Sequence, residues 1–170
     1  MTSQKRRFKQ PIEGSAVIEI EAPADLIYEL VSDVTRMGEW SPECTGGKWL
    51  GAASGPTVGA RFKGTNKKRF AWSTKSKVVL AEPGKAFTFD RDRPILFGVM
   101  RWSYELTPLP TGTRVTESFE QVRTAPAISV VAANLATGVR WNQREAVNTA
   151  NMQVTLERLK ACAEELARLR

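Results

Sequence analysis

The sequence predicts an α+β domain in which a curved antiparallel sheet of about seven strands wraps around one long C-terminal helix. A chain of 170 residues, 42% hydrophobic and 25% charged, has the size and composition of one soluble domain. Residues 44–122 fall into short segments separated by glycine, proline and asparagine turns, which is typical of sequential hairpins. Residues 143–169 then show helical periodicity.

The N-terminal part of the domain is predicted to be one strand followed by two short helices. Residues 15–21 alternate between apolar and polar side chains, which indicates a half-buried strand. Pro23 interrupts the alternation, and residues 24–32 place their apolar side chains at helical spacing. Asp33 is positioned to cap a second short helix that ends near Gly38.

The middle of the chain is predicted to form an antiparallel meander. Its strands cover residues 44–50, 59–66, 71–82, 86–92, 97–107 and 112–122. The clearest alternation is in the fifth of these, where Met100, Trp102 and Tyr104 share one face. Arg101 and Ser103 lie on the other face.

The last part of the chain contains the cover for this sheet. Residues 125–140 are small and apolar and are interpreted as a short helix or lid. The long helix runs from about Gln143 to Leu169, and Asn142 is expected to cap it. Its apolar stripe is Met152, Leu156, Leu159, Ala163 and Leu166. A sheet wrapped around one helix leaves space between the two, which predicts a small-molecule cavity.

The net charge of +7 is unevenly distributed. Residues 1–10 contain four cationic side chains and no acid, and residues 61–77 contain seven and no acid, so the remaining residues carry −4. Residues 1–13 are interpreted as a basic flexible tail, followed by a single domain over residues 14–170. The 61–77 segment is either a solvated hairpin face or a contact surface for nucleic acid or an anionic membrane.

The chain contains no histidine, which excludes Ser-His-Asp and Cys-His hydrolases and histidine-bearing zinc or iron sites. Cys44 and Cys162 form no metal or redox motif and are interpreted as free thiols. No glycine-rich phosphate-binding motif of the common kinds is present. We therefore expect no metal and no cofactor. No signal or membrane-spanning segment is recognisable, which predicts a cytoplasmic location.

Six pieces of sequence together resemble the START / Bet v 1-like helix-grip (SRPBCC) superfamily, and within it the polyketide cyclase/dehydrase type. They appear in the family's order over about residues 14–167. The pieces are IEIEAPA at 18–24, VSD at 31–33 with EWSP at 39–42, VGARFKGTN at 58–66, WSYELTP at 102–108, GTRVTE at 112–117 and TLERLK at 155–160. The resemblance implies a cavity for hydrophobic or aromatic small molecules. It implies no fixed catalytic triad, and a fold does not determine its function.

Candidate ligand-binding residues are those expected on the concave face or facing it from the helix. They are Trp40, Phe62, Asn66, Phe87, Phe89, Met100, Trp102, Tyr104, Glu117, Phe119, Asn148 and Met152. The alternative for the apolar members is ordinary core packing, since burial alone stabilises each by about 1.5–3 kcal/mol.

Glu117 is the most informative of these positions. It alternates with Val115 and Phe119 on the apolar side of its strand. A carboxylate there would be desolvated and its pKa would rise, as in a functional acid or a ligand anchor. The alternatives are a structural pair with an inward Arg or Tyr, or a bulge that turns Glu117 towards water.

Three functions follow from these observations. The leading one is non-catalytic binding of a lipid, polyketide or aromatic compound in the cavity. The second is a polyketide aromatase/cyclase or dehydratase in which Glu117 and Tyr104 handle protons. The third is a ribosome-, RNA- or membrane-associating module that uses the 61–77 segment. The expected partner is a hydrophobic small molecule, with weak contact to anionic surfaces and not nucleic acid, and the protein is expected to be a monomer or homodimer.

Overall fold

The computed structural model describes residues 11–92, 98–124, 130–131, 134–135 and 138–170. The chain begins with β1 (Glu13–Ile20), α1 (Ala24–Ser32), a 3-10 turn (Val34–Arg36) and α2 (Met37–Trp40). Six strands follow: β2 (Cys44–Leu50), β3 (Arg61–Lys67), β4 (Ala71–Glu82), β5 (Ala86–Asp92), β6 (Val99–Leu109) and β7 (Gly112–Arg123). A second 3-10 turn (Trp141–Gln143) leads into α3 (Arg144–Leu169).

The strands form one antiparallel sheet in the order β1-β7-β6-β5-β4-β3-β2. Strands β2 to β7 are therefore a meander, and β1 pairs with the last strand, with Ile18 opposite Val115. This confirms the predicted fold class, and the strand bounds differ from the predicted ones by only a residue or two. Bulges between Cys44 and Gly46 and between Val78 and Leu80 break the regular pairing and locally increase strand twist.

Helix α3 covers the concave face of the sheet. Leu156, Leu159 and Ala163 from the predicted stripe are buried in the same apolar cluster as Ile20 and Val115 of the sheet. The stripe is therefore confirmed as the core-facing side of the helix. Its last member, Leu166, packs against this core and is only partly buried.

Two predicted helix caps have different outcomes. Asp33 accepts a hydrogen bond from the Thr35 backbone amide through Oδ1 at 3.0 Å, so it caps the turn that leads into α2. The prediction that Asn142 caps the long helix is wrong. Asn142 lies inside the 3-10 turn, Gln143 occupies the capping position, and no side chain caps the helix there.

The first described residues already pack on the sheet. Ile12, assigned to the tail by sequence, is buried, and its carbonyl accepts a hydrogen bond from the Gln121 amide at 2.9 Å. Glu13 already belongs to β1. Residues 1–10 and most of the predicted lid over 125–140 lie outside the described residues. Within that predicted lid, the described residues 130–131 and 134–135 are helical. None of the helices in the described ranges is both long and apolar enough to cross a bilayer.

Candidate functional site

A cavity of about 110 Å³ lies between the concave face of the sheet and the N-terminal half of α3. Strands β3 to β7 line one side of it and α3 lines the other. Helix α2 and the segment that follows it, residues 41–44, complete the lining. From the long helix, Asn148, Asn151, Met152 and Thr155 line the cavity, whereas Leu156, Leu159 and Ala163 belong to the apolar core.

Aromatic side chains form much of the apolar wall, and they pack against further rings that lie behind it. The Phe62 and Phe89 rings meet edge to face with centroids 5.2 Å apart, and Trp49 packs edge-on against Phe62 at 5.6 Å. Trp102 and Phe119 lie 5.3 Å apart on neighbouring strands. The two edge-to-face pairs stabilise the wall beyond the burial of area, because the positive edge of one ring faces the negative face of the other. The wall is consequently a packed surface with fixed ring orientations.

Glu117 and Tyr104 form the polar centre of this wall. They stand directly opposite each other in the β6–β7 register, and both side chains point to the concave side. The Tyr104 hydroxyl donates a hydrogen bond to Glu117 Oε1 at 3.0 Å. Glu117 is only 3% exposed, and its second oxygen, Oε2, is buried without a hydrogen-bond partner among the described residues.

The surroundings of this pair favour the neutral form of both groups. Burial raises the pKa of Glu117 to about 8, and the Tyr104 hydrogen bond only partly opposes the shift. Burial also raises the pKa of Tyr104 well above its usual value, and the Glu117 carboxyl adds to that effect. Near neutral pH Glu117 is therefore largely a protonated acid that can donate a hydrogen bond.

One cation reaches the same space. Arg91 of β5 lines the cavity, and its guanidinium carbon lies 5.8 Å from the centre of the Trp102 ring. Cys44, a free thiol, lies nearby. Burial raises the pKa of the Cys44 thiol, opposed by a backbone hydrogen bond with Gly46 and by the positive charge of Arg91. Cys44 therefore acts here as a small, mostly neutral wall residue.

Several uncharged polar groups complete the lining. Asn66 of β3 and Asn148 of α3 are both buried. The Asn66 amide nitrogen, Nδ2, has no hydrogen-bond partner among the described residues. Thr74 and Ser76 of β4 are buried in the same lining. The cavity is therefore apolar on its aromatic side and carries separate hydrogen-bonding groups elsewhere.

Glu43 joins three parts of the chain at the rim of the cavity. Its Oε1 atom lies 3.2 Å from Asn151 Nδ2, 3.4 Å from Lys68 Nζ and 3.8 Å from Arg144 Nη1. Asn151 and Arg144 belong to α3, and Lys68 lies in the β3–β4 turn. One carboxylate thus ties the start of the long helix to the sheet beside the cavity.

The structure brings most of the predicted site residues to the cavity wall. Those that line it are Trp40, Phe62, Asn66, Phe89, Trp102, Tyr104, Glu117, Asn148 and Met152. Phe87, Met100 and Phe119 are buried but do not line it, which matches the alternative of core packing. Ligand contact by the lining residues remains a prediction.

The sequence analysis missed several lining residues that strand phase could have identified. Arg91 follows Phe87 and Phe89 at a spacing of two, and Ser76 and Thr74 precede Val78 in the same way. Each therefore belongs to the concave face. Met37, Ser41, Glu43, Cys44, Gly64, Asn151 and Thr155 complete the set. Residues 41–44 show no strand alternation, because they lie where α2 ends and β2 begins.

Solved structures with the same fold include two proteins named aromatase/cyclases and a START superfamily protein. The chain superposes with a TM-score of 0.72 on the di-domain aromatase/cyclase StfQ from the steffimycin biosynthetic pathway, with 19% identity, covering 96% of this chain and 54% of that one. It therefore spans about half the length of that protein. The Zhui aromatase/cyclase from Streptomyces sp. R1128 gives a TM-score of 0.68 and 17% identity, covering 95% of this chain and 97% of that one.

A START superfamily protein from Mycobacterium smegmatis gives a TM-score of 0.69 at 16% identity, covering 91% of this chain and 99% of that one. At these identities the likeness shows the fold alone. The described residues contain no acidic or cysteine cluster that could hold a metal.

No curated protein matches the sequence significantly. The model of the family "Polyketide cyclase / dehydrase and lipid transport" matches residues 11–164. The chain belongs to this family, in agreement with the resemblance of its sequence pieces to the polyketide cyclase/dehydrase type.

Proposed function

We propose that the protein binds a hydrophobic small molecule with at least one acceptor oxygen in the cavity between the sheet and α3. The observation that carries the proposal is the pair of buried atoms, Glu117 Oε2 and Asn66 Nδ2, which line an aromatic cavity without partners among the described residues. An unpaired buried polar atom costs about 1–3 kcal/mol. A ligand that pairs with these atoms removes that cost, whereas an apolar ligand does not.

The size of the cavity limits what it can enclose. A volume of about 110 Å³ is below the ~300–1,000 Å³ of a typical drug-sized pocket and close to a ~150 Å³ engineered cavity known to bind benzene. The enclosed part of the ligand is therefore about one aromatic ring or a short chain. A larger ligand would extend past Glu43 at the rim.

The protonation of the site indicates the ligand's polar group. A protonated Glu117 and the Asn66 amide both offer donors, and Arg91 adds a cationic donor on the same wall. Three donors favour a carbonyl or phenolic oxygen over an amine or an alkyl group. An aromatic ketone combines a ring for the Phe62–Phe89 wall with an oxygen for Glu117.

A second candidate is catalysis of the aromatase/cyclase or dehydratase kind. It is favoured by the Tyr104–Glu117 pair, because a carboxyl with a pKa of about 8 can both give and take a proton near neutral pH. The relatives named aromatase/cyclases support this candidate by their fold only. Loss of turnover in a Glu117→Gln variant that still binds its ligand would distinguish catalysis from binding.

Calorimetric titration with acetophenone and ethylbenzene tests the binding proposal, because the two molecules have similar size and only the first has a carbonyl. We expect the native protein to bind acetophenone about three- to tenfold more tightly, the value of one hydrogen bond. Glu117→Leu should remove this preference, whereas Glu117→Gln should keep it, since an amide can still donate. Equal affinity for both compounds, or no binding of either, contradicts the proposal.

Glu120→Gln is the matched control for these variants. Glu120 belongs to the same strand, but its side chain is exposed and lies near Arg101 on the outer face of the sheet. Its replacement should leave the preference for acetophenone unchanged. A change of the same size in this variant would show that the titration reports a general effect of charge on the protein.

A further inference from the structure

The outer face of strands β2, β3 and β4 carries cations that stand next to one another on neighbouring strands. Lys63 stands between Lys48 and Lys75 in the strand register, and Arg61 stands opposite Lys77. We call these five residues the basic face. Like charges placed directly opposite each other destabilise a sheet, so this arrangement is unfavourable in the isolated protein.

Neighbouring acids are too few to neutralise the basic face, since only Asp90 and Asp92 stand opposite any of its five cations in the register. Among the side chains that the structure describes, no acid lies within ion-pair distance of Lys48, Arg61, Lys63 or Lys77. Asp92 stands opposite Lys75 in the strand register. Asp90 is opposite Lys77 in the register, but its carboxylate is bonded by Arg101 at 2.8 Å. The face therefore offers a concentrated positive charge to an anionic surface.

The turn between β3 and β4 extends the basic face and adds an apolar group. We call residues Lys67, Lys68, Arg69 and Phe70 the tip. The Phe70 side chain is 58% exposed, and the Arg69 guanidinium carbon lies 5.7 Å from the centre of its ring. An aromatic ring surrounded by cations is typical of a segment that lies at a membrane–water interface.

The tip lies beside the rim of the cavity. The Lys67 amide donates a hydrogen bond to the Glu43 carbonyl at 2.9 Å, and the Lys68 ammonium lies 3.4 Å from the Glu43 carboxylate. Glu43 itself lines the cavity, and so does Asn66, the residue before the tip. A surface that touches the tip is therefore close to the cavity rim.

We propose that the basic face and the tip dock the protein on an anionic lipid membrane, with the cavity rim next to the lipid surface. The cations would neutralise acidic headgroups, and Phe70 would enter the boundary between headgroups and acyl chains. This proposal goes beyond ligand binding in the cavity and does not depend on it, because docking uses only the outer face and the tip.

The distribution of aromatic residues favours a membrane over RNA. Binding of single-stranded RNA uses several aromatic rings on which successive bases stack. In the 61–77 segment Phe62 is buried and Trp72 is half-buried, so Phe70 is the one exposed ring there. One ring at the end of a hairpin suits insertion into an interface better than it suits a stacking platform.

Flotation of the full chain with lipid vesicles tests the proposal without any cavity ligand. We expect binding to vesicles of phosphatidylcholine and phosphatidylglycerol in equal parts, and none to phosphatidylcholine alone. The double variant Lys63→Ser/Lys75→Ser should bind about thirtyfold more weakly, since each cation near an anionic surface contributes about fivefold. Phe70→Ser should lose roughly tenfold, the lower value for burial of a phenylalanine side chain.

The matched control is Lys85→Ser/Arg158→Ser, which removes the same charge from exposed positions in the β4–β5 turn and on α3. It should bind like the native protein. An equal loss in this control would show attraction by net charge alone and overturn the proposal, as would full binding by Phe70→Ser. Tighter binding to polyuridylate than to the mixed vesicles, lost in the Lys63→Ser/Lys75→Ser variant, would identify an RNA surface and also overturn it.

Discussion

Replacing Leu159 by alanine is expected to lower the free energy of unfolding by about 2–5 kcal/mol. Leu159 is fully buried where the second half of α3 packs into the apolar cluster that also contains Ile20 and Val115. The substitution removes apolar contacts and leaves a cavity that the surrounding strands can fill only in part. Urea unfolding followed by far-UV circular dichroism measures the change directly.

Leu169→Ala is the control for this prediction. Leu169 is the last residue of the same helix and is 78% exposed. The same atoms are removed there, but no packing is lost, so the free energy of unfolding should change by less than about 0.5 kcal/mol. Similar losses in both variants would mean that α3 does not pack on the sheet as described.

The native protein is expected to lose stability as the pH rises from about 4.5 to about 8, and Glu117→Gln is expected to remove this loss. The pKa of Glu117 is raised in the folded state, so between these values the folded protein binds more protons than the unfolded chain. The stabilisation by the protonated Glu117 carboxyl is fully present below about pH 4.5 and is lost as the pH rises through about 8. The loss is on the order of 3–5 kcal/mol.

Urea unfolding of the native protein and the Glu117→Gln variant across this pH range measures the effect. The difference between the two curves isolates Glu117, because the other titrating groups are common to both proteins. At the alkaline end the variant should be the more stable protein. Curves that run parallel throughout would show that the Glu117 carboxyl ionises in the folded protein as easily as in water.

The fold and part of the cavity wall could be predicted from the sequence because both follow from local periodicity. Alternation in β6 and β7 placed Tyr104 and Glu117 on one face, and the structure confirms that both point inwards. The spacing of the α3 stripe likewise identified its buried side. In each case the pattern extends over several residues, so one exception does not change the result.

The polar contacts of Glu43 at the rim of the cavity could not be predicted in this way. Glu43 meets Lys68, Arg144 and Asn151 only because a turn, a loop and a distant helix converge there. No spacing in the sequence encodes that contact. The 3-10 turn before α3 displaced Asn142 from the capping position for a similar reason, since the entry of the chain into the helix is set by tertiary packing.

The division of α3 into two halves implies that the helix does not open as one unit. Its second half is held by the core around Leu159, whereas its first half spans the cavity through Asn148, Met152 and Thr155. Opening the first turns exposes less apolar surface, so their backbone amides should exchange with solvent deuterium before those of the second half. A molecule that fills the cavity should slow exchange in those first turns selectively. The helix therefore combines a second half anchored in the core with a first half tied to the sheet by the polar contacts of Glu43. Opening of that first half would set the rate at which ligands enter and leave the cavity.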